Sequence, residues 1–252
     1  MPDLRVALAL WRRNARVFSR SARGYLLPLF LDPVLYFVAL GFGLGAYVGT
    51  IAGVPYREFI APGLCASAAM WAASFETTWN LHYKVEETRQ FDAMLTTPAE
   101  VQDVVLGELL WAATRATVYG SAFLVVIAAF GYVDSPWALA LPLAIFLGGA
   151  CFAAAGIAFT ALSPKSEYYT FYFTLFITPM FLFGGIFFPY DELPGWAQAG
   201  AWLTPLYHLV ALCRGLAQAP ELGLAVHALW LAVAVVALFA VPVWGLRRRL
   251  VP

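Results

Sequence analysis

The sequence predicts an all-α polytopic membrane protein, and three observations predict it. Hydrophobic residues make up 62% of the 252 residues, while Asp, Glu, Lys and Arg make up only 12%. Soluble domains carry roughly 25% charged residues, so this much apolar surface must face lipid. Mean hydropathy is +0.75. The apolar residues also gather in six long runs, each near the roughly 20 residues that a helix needs to cross hydrocarbon.

Those runs extend from Tyr25 to Val48, Phe59 to Trp79, Val104 to Phe130, Trp137 to Leu162, Tyr168 to Phe188 and Leu224 to Trp244. Pro28, Pro33, Pro62, Pro142 and Pro179 fall inside them, which membrane helices tolerate when neighbours satisfy the freed backbone groups. The first run is too long for the core of a cleavable leader. Gly41, Gly45 and Gly49 recur every four residues and offer a close-packing face.

Lysine and arginine orient the chain. Twelve of the fifteen lie before the first span, in the second and fourth loops, or in the tail: Arg5, Arg12, Arg13, Arg16, Arg20, Arg23, Lys84, Arg89, Lys165, Arg247, Arg248 and Arg249. Arg57 and Arg214 fall on the opposite side, and Arg115 inside a span. This asymmetry predicts both termini in the cytoplasm.

Three segments outside the spans carry further signals. In residues 3–22, Leu4, Leu8, Trp11, Ala15 and Phe18 share one helical face among arginines, the pattern of an amphipathic interfacial helix. In the cytoplasmic loop 80–103, Phe91, Met94 and Leu95 share a face that suits a protein partner. Thr97-Pro98-Ala99-Glu100 then reads as a helix start, with Thr97 capping, Pro98 at the first position and Glu100 completing a capping box. The external segment 189–222 has few charges and many rings, and reads as two short helices dipping into the outer leaflet. Pro189, Trp196, Pro205 and His208 mark this candidate re-entrant gate.

Ionisable residues inside spans are costly and face a bundle interior or cavity. Asp32, Glu76, Glu108 and Arg115 are of this kind. Glu108 and Arg115 share a face, two turns and about 10 Å apart. Structural pairing and transport chemistry both remain open for these charges. Tyr168, Tyr169, Tyr172 and Phe176 belong to a run of rings dense enough to line a path for sugars or amphiphiles, or simply to pack. Cys65, Cys151 and Cys213 are scattered, so no metal site is expected. Mixed charge in the loops makes nucleic acid a poor partner. Neither Lys84 nor Lys165 sits in a Gly-rich phosphate loop, so the chain is not expected to be its own ATPase.

Two stretches carry a resemblance. Phe91-Asp92-Ala93-Met94-Leu95-Thr96-Thr97-Pro98, followed by Gly107-Glu108, is similar to the coupling region of ABC type-2 exporter permeases. Phe183-Gly184-Gly185-Ile186-Phe187-Phe188-Pro189, with Leu193-Pro194, Trp196, Thr204-Pro205-Leu206 and His208, resembles that family's signature around span five. Residues 107–114 look most like the nodulation-type lipo-oligosaccharide export permeases.

The resemblance implies a single transmembrane domain over residues 1–252, with six spans and a re-entrant hairpin between spans five and six. It implies a transport subunit of the bacterial cytoplasmic (inner) membrane, without a cofactor of its own. ATP and Mg would be bound by a separate ATP-binding cassette subunit. That subunit would meet the loop carrying Glu87, Phe91, Met94, Leu95, Thr97 and Pro98, and a second permease copy would complete a homodimer in membrane lipid. The cargo implied is an amphiphile such as a lipo-oligosaccharide or lipid-linked glycan. A multidrug exporter permease, a proton-coupled secondary carrier using Asp32, Glu76 or Glu108, and a non-transporting membrane enzyme or scaffold stand as alternatives.

Overall fold

The computed structural model describes residues 2–51, 53–133, 135–163, 165–218 and 223–250, without the side chains of 21–23, 25–28 and 250. The side chains of Arg23 and Pro28, and residues 219–222 of the external segment, therefore lie outside the described residues. What is described is almost entirely helical. Helix α1 runs from Leu4 to Phe37, a π-helical turn covers Val38–Leu44, and α2 covers Gly45–Val48. A two-residue antiparallel pair, Thr50–Ile51 with Val54–Pro55, closes the first turn.

Helix α3 (Tyr56–Phe75) continues through π-helical turns at Glu76–Asn80 and Tyr83–Glu87. Short α4 (Gln90–Leu95) leads to α5 (Val101–Ala129), and a 3-10 turn leads into α6 (Leu141–Leu162). A broken segment follows: α7 (Tyr169–Tyr172), a π-helical turn at Phe173–Ile177 and α8 (Thr178–Phe183). Then come α9 (Gly195–Trp202), α10 (Pro205–Ala217) and α11 (Leu224–Leu250).

Helices α3, α5, α6 and α10 form the centre, with α1 packed on α5 and α11 on α6. Helix α11 turns Val226, Leu229, Val233 and Val236 outward, an apolar face that suits lipid.

Among the described residues, four helical stretches are long and apolar enough to cross a membrane: Leu29–Val48, Val101–Ala129, Pro136–Leu162 and Leu224–Arg249. The other two expected spans differ for physical reasons. Helix α3 is rich in small residues and walled in by α5, α6 and α10, so it needs little hydropathy of its own. The 168–188 run is split by its π-helical turn and ends at Phe183, beyond which Gly184 and Gly185 bend away.

Three local expectations are corrected. The N-terminal segment is not a separate interfacial helix, because α1 is one uninterrupted helix into the first span. It lies along α5 through Ala7, Leu10, Trp11, Asn14 and Phe18, while Leu4 and Leu8 stay exposed. Gly107 permits that approach, since a Cβ there would meet Leu10 Cβ at 2.9 Å and Ala7 O at 3.0 Å. The start of α5 is capped by Glu100 rather than Thr97: Glu100 and Asp103 form a reciprocal box, and Glu100 N donates to Asp103 Oδ2 at 2.9 Å. Gly49 turns the chain at φ +73° instead of extending the glycine face.

Candidate transport and coupling site

Three of the four intramembrane charges, Glu76, Glu108 and Arg115, are brought together in one network, and Asp32 stands apart from it. Glu76 sits where α3 widens into its π-helical turn, a distortion often found at functional positions. Its Oε1 accepts from Trp111 Nε1 at 2.8 Å and Lys84 Nζ at 3.2 Å. Its Oε2 accepts from Asn80 Nδ2 at 2.6 Å and from Arg115 Nη1. Glu108 Oε2 accepts from Lys84 Nζ at 2.7 Å, and its Oε1 from Asn14 Nδ2 at 3.0 Å. Arg13 Nη2 stands 3.9 Å from the same Oε1.

Arg115 and Glu108 thus take different partners, as their axial separation requires. The bridge is Lys84, a loop residue by sequence, which the continuing helix folds back between the two carboxylates. Burial pushes its amine down, but the facing Glu108 and Glu76 outweigh that and hold it above its ordinary value. Lys84 and Asn14 were not legible as site residues, because neither lies in an apolar run.

The coupling segment also turns out differently. Phe91 is 1% exposed and Met94 7%, and both face inward on Val85, Val101, Val104 and Val105. They anchor α4 to the helix bundle and do not form an outward apolar face. Leu95 is half-buried. The exposed surface includes Glu87, Thr88, Arg89, Asp92, Ala93, Thr96, Thr97 and Pro98. Arg89 starts α4 in the left-handed region, at φ 46°. Glu86 pairs with Arg249 Nη2 at 2.6 Å, and Arg249 Nη1 donates to Thr160 O and Ser163 O at the end of α6. The last helix is thereby tied to the loop.

Two pockets border the bundle. One, of about 570 Å³, lies between α1, α3 and α5, with Phe181 from α8 at its edge. Asp32, Asn80, Arg115 and Tyr119 supply polar groups, and Tyr36, Trp71 and Phe75 supply rings. The second, of about 650 Å³, is almost wholly apolar and lies between α6, α8, α9 and α11. Phe176, Tyr172, Trp196 and Pro205 line it.

The four span-five candidates therefore do not form one lining. Tyr169 is fully buried, with its hydroxyl 2.9 Å from His82 Nδ1, and Tyr172 is buried against Phe159. Tyr168 is exposed on the loop side, and Phe176 is exposed at the apolar pocket.

At the opposite end, His208 is buried and stacks on Trp230 at 4.2 Å. Its Nε2 faces Trp202 O at 2.8 Å and its Nδ1 faces His227 Nδ1 at 2.8 Å. A carbonyl can only accept, so Nε2 carries the hydrogen and Nδ1 of His208 accepts from His227. Burial pushes His208 below its ordinary value. Arg214 donates to Gly185 O at 2.8 Å and Phe59 O at 3.3 Å, and lies over the Phe59 ring. Its guanidinium satisfies a carbonyl where the chain unwinds, at Gly185 with φ +81°. Pro189 opens the short 3-10 turn before α9.

Apolar helices around a buried ion network, with a pocket that is polar at one side, define a membrane permease. The chain belongs to the ABC-2 type transporter family, whose sequence profile matches residues 5–216. It is 40% identical to Nodulation protein J of Rhizobium leguminosarum bv. trifolii over 245 residues, 96% of this chain and 93% of that relative. It is 38% identical to Nodulation protein J of Rhizobium meliloti (strain 1021) over 247 residues, 97% and 94% of the two chains. Inner membrane transport permease YadH of Escherichia coli (strain K12) is 22% identical over 208 residues, 81% and 79% of the two chains.

Proposed function

We propose that this chain is the transmembrane subunit of an ATP-driven exporter that moves a lipo-oligosaccharide or similar lipid-linked glycan across the bacterial inner membrane. The observation that carries the reading is the pocket between α1, α3 and α5. Its polar groups suit a hydroxyl-rich head, and its Trp71 and Phe75 faces suit sugar rings. Likeness to Nodulation protein J over nearly the whole chain supports the same direction.

In this reading the chain crosses six times with both termini in the cytoplasm, α9 and α10 form a re-entrant hairpin, and two copies pair. A separate ATP-binding cassette subunit docks on the exposed face of the coupling loop. That face carries Glu87, Asp92, Thr97 and Pro98, with Leu95 at its edge. A proton-coupled carrier is less well supported, because two of its three candidate carboxylates, Glu76 and Glu108, are each held by cations. A multidrug exporter is favoured by one feature, the apolar pocket beside α8.

The test is ATPase stimulation of the permease with its ATP-binding partner in proteoliposomes. Lipid-linked oligosaccharide is expected to stimulate, and Tyr119→Phe to weaken that response. Stimulation by hydrophobic drugs alone would overturn the glycan reading.

A further inference from the structure

Asp32 is a carboxylate in a membrane span, exposed into the pocket between α1, α3 and α5. No hydrogen bond or ion pair reaches it among the described residues. Such a group is costly in a span unless it faces water or a partner. The other charge lining the pocket, Arg115, is already held by Glu76 and Tyr119 and covered by the Phe18 ring. Within the network behind it, Glu76 and Glu108 hold Lys84 and Arg115, and half-buried Arg13 stands at its outer edge, 3.9 Å from Glu108.

Among the described residues lining the pocket, Asp32 is therefore the one carboxylate, and the one charge there without a partner. In the same pocket lie Trp71, stacked on Phe173 with ring centroids 5.6 Å apart and planes within 2°, and Phe75, stacked on Phe173 at 4.6 Å. This wall holds a flat ring but does not distinguish charge, apart from the weak preference of ring faces for cations. Discrimination by charge falls to Asp32.

Building on the glycan reading above, we infer that Asp32 is a specificity-determining residue. It admits uncharged or amino-bearing sugar heads and rejects heads that carry a carboxylate, sulfate or phosphate. An amine or hydroxyl of the cargo donates to Asp32. An anionic head would place like charge beside it, and that repulsion grows as the pocket loses water. The same rejection keeps the anionic lipids of the surrounding bilayer out of the pocket.

The experiment uses three glycosides with one dodecyl tail: the glucoside, the 2-amino-2-deoxyglucoside and the glucuronide. Each competes with a fluorescent dodecyl glucoside for the permease and its ATP-binding partner in phosphatidylcholine nanodiscs. The wild type is expected to bind the amino glycoside at least about tenfold more tightly than the glucuronide, with the glucoside between them. Asp32→Asn, isosteric and at an exposed site, is expected to narrow that range to about twofold. Three equal affinities in the wild type would overturn the inference, and are what a carboxylate already paired to a second copy would give. An undiminished range in Asp32→Asn would overturn it as well. If none of the three competes, the glycan reading itself falls, and the inference with it.

Discussion

The two ends of the bundle bury polar groups by opposite means. The end that holds the coupling loop uses full charges in alternation, Arg115, Glu76, Lys84 and Glu108, with Asn14, Asn80 and Trp111 filling the remaining valences. The other end uses neutral imidazoles, one guanidinium and backbone carbonyls: His227 to His208 to Trp202 O, and Arg214 to Gly185 O and Phe59 O. Charge alternation joins four separate stretches of chain and resists partial disruption, because removing one member strands another in a dry place. The histidine end joins five stretches through two separate sets of bonds, and one set depends on one imidazole nitrogen staying bare. The comparison teaches that the first end is one connected network, in which every member has a charged neighbour to lose, while the far end divides into two independent sets.

The contrast is sharpest at Lys84, which serves two carboxylates at once. Lys84→Met is expected to destabilise the purified permease by ~3–5 kcal/mol, read as a fall in thermal unfolding midpoint. Adding Glu108→Gln should recover much of that loss, since Glu76 keeps Arg115. A double variant no better than the single would break the account of alternation.

Next in size is Arg214→Met. It strips a donor from buried carbonyls and is expected to cost ~1–3 kcal/mol, with Arg214→Lys falling between. The loss should appear as faster reaction of a cysteine placed at Phe188 with an impermeant thiol reagent. Unchanged reactivity would show that the bend at Gly184–Gly185 holds without it.

The smallest effect is acidification. Burial lowers His208 in the folded chain, so the unfolded chain binds the extra proton first. Stability at this end is fully present above the unfolded value of about 6.5 and is lost as pH falls below it toward the folded value. The slope is at most about 1.4 kcal/mol per pH unit for a single proton. Unfolding midpoints at pH 7.5 and 5.5 should differ in the wild type, and less so in His208→Asn.

How much of this was legible varies with the physics of each element. Long apolar runs announce helices, and the helical content follows from composition, but the π-helical turn at Phe173–Ile177 carries no such signal and the 168–188 run reads as one unbroken span. Helix faces were harder. Phe91 and Met94 at helical spacing show only that α4 has an apolar side, and that side turns inward because α5 passes beneath it. The start of α5 was misread at Thr97 because Asp103, three residues after Glu100, makes the stronger reciprocal cap. The ion network was half legible. Glu76, Glu108 and Arg115 stand out against their apolar neighbours, but Lys84 and Asn14 reach them only through tertiary folding, which no local pattern encodes. Asp32 was visible as a misplaced charge, and only the pocket gives it a task.

Helix α1 carries Asn14 against Glu108 and, eighteen residues on, Asp32 in the pocket. At 1.5 Å per residue that is about 27 Å of uninterrupted helix. A hydrogen-bonded helix of this length behaves as a push-rod: an axial slide or a roll at one end arrives at the other. A head that draws Asp32 toward the ring wall therefore loads the Asn14–Glu108 contact, which shares its carboxylate with Lys84 at the root of the coupling loop. On the proposed reading, the first helix would be a mechanical gauge of pocket occupancy, set between the cargo and the loop that an ATP-driven partner would grip.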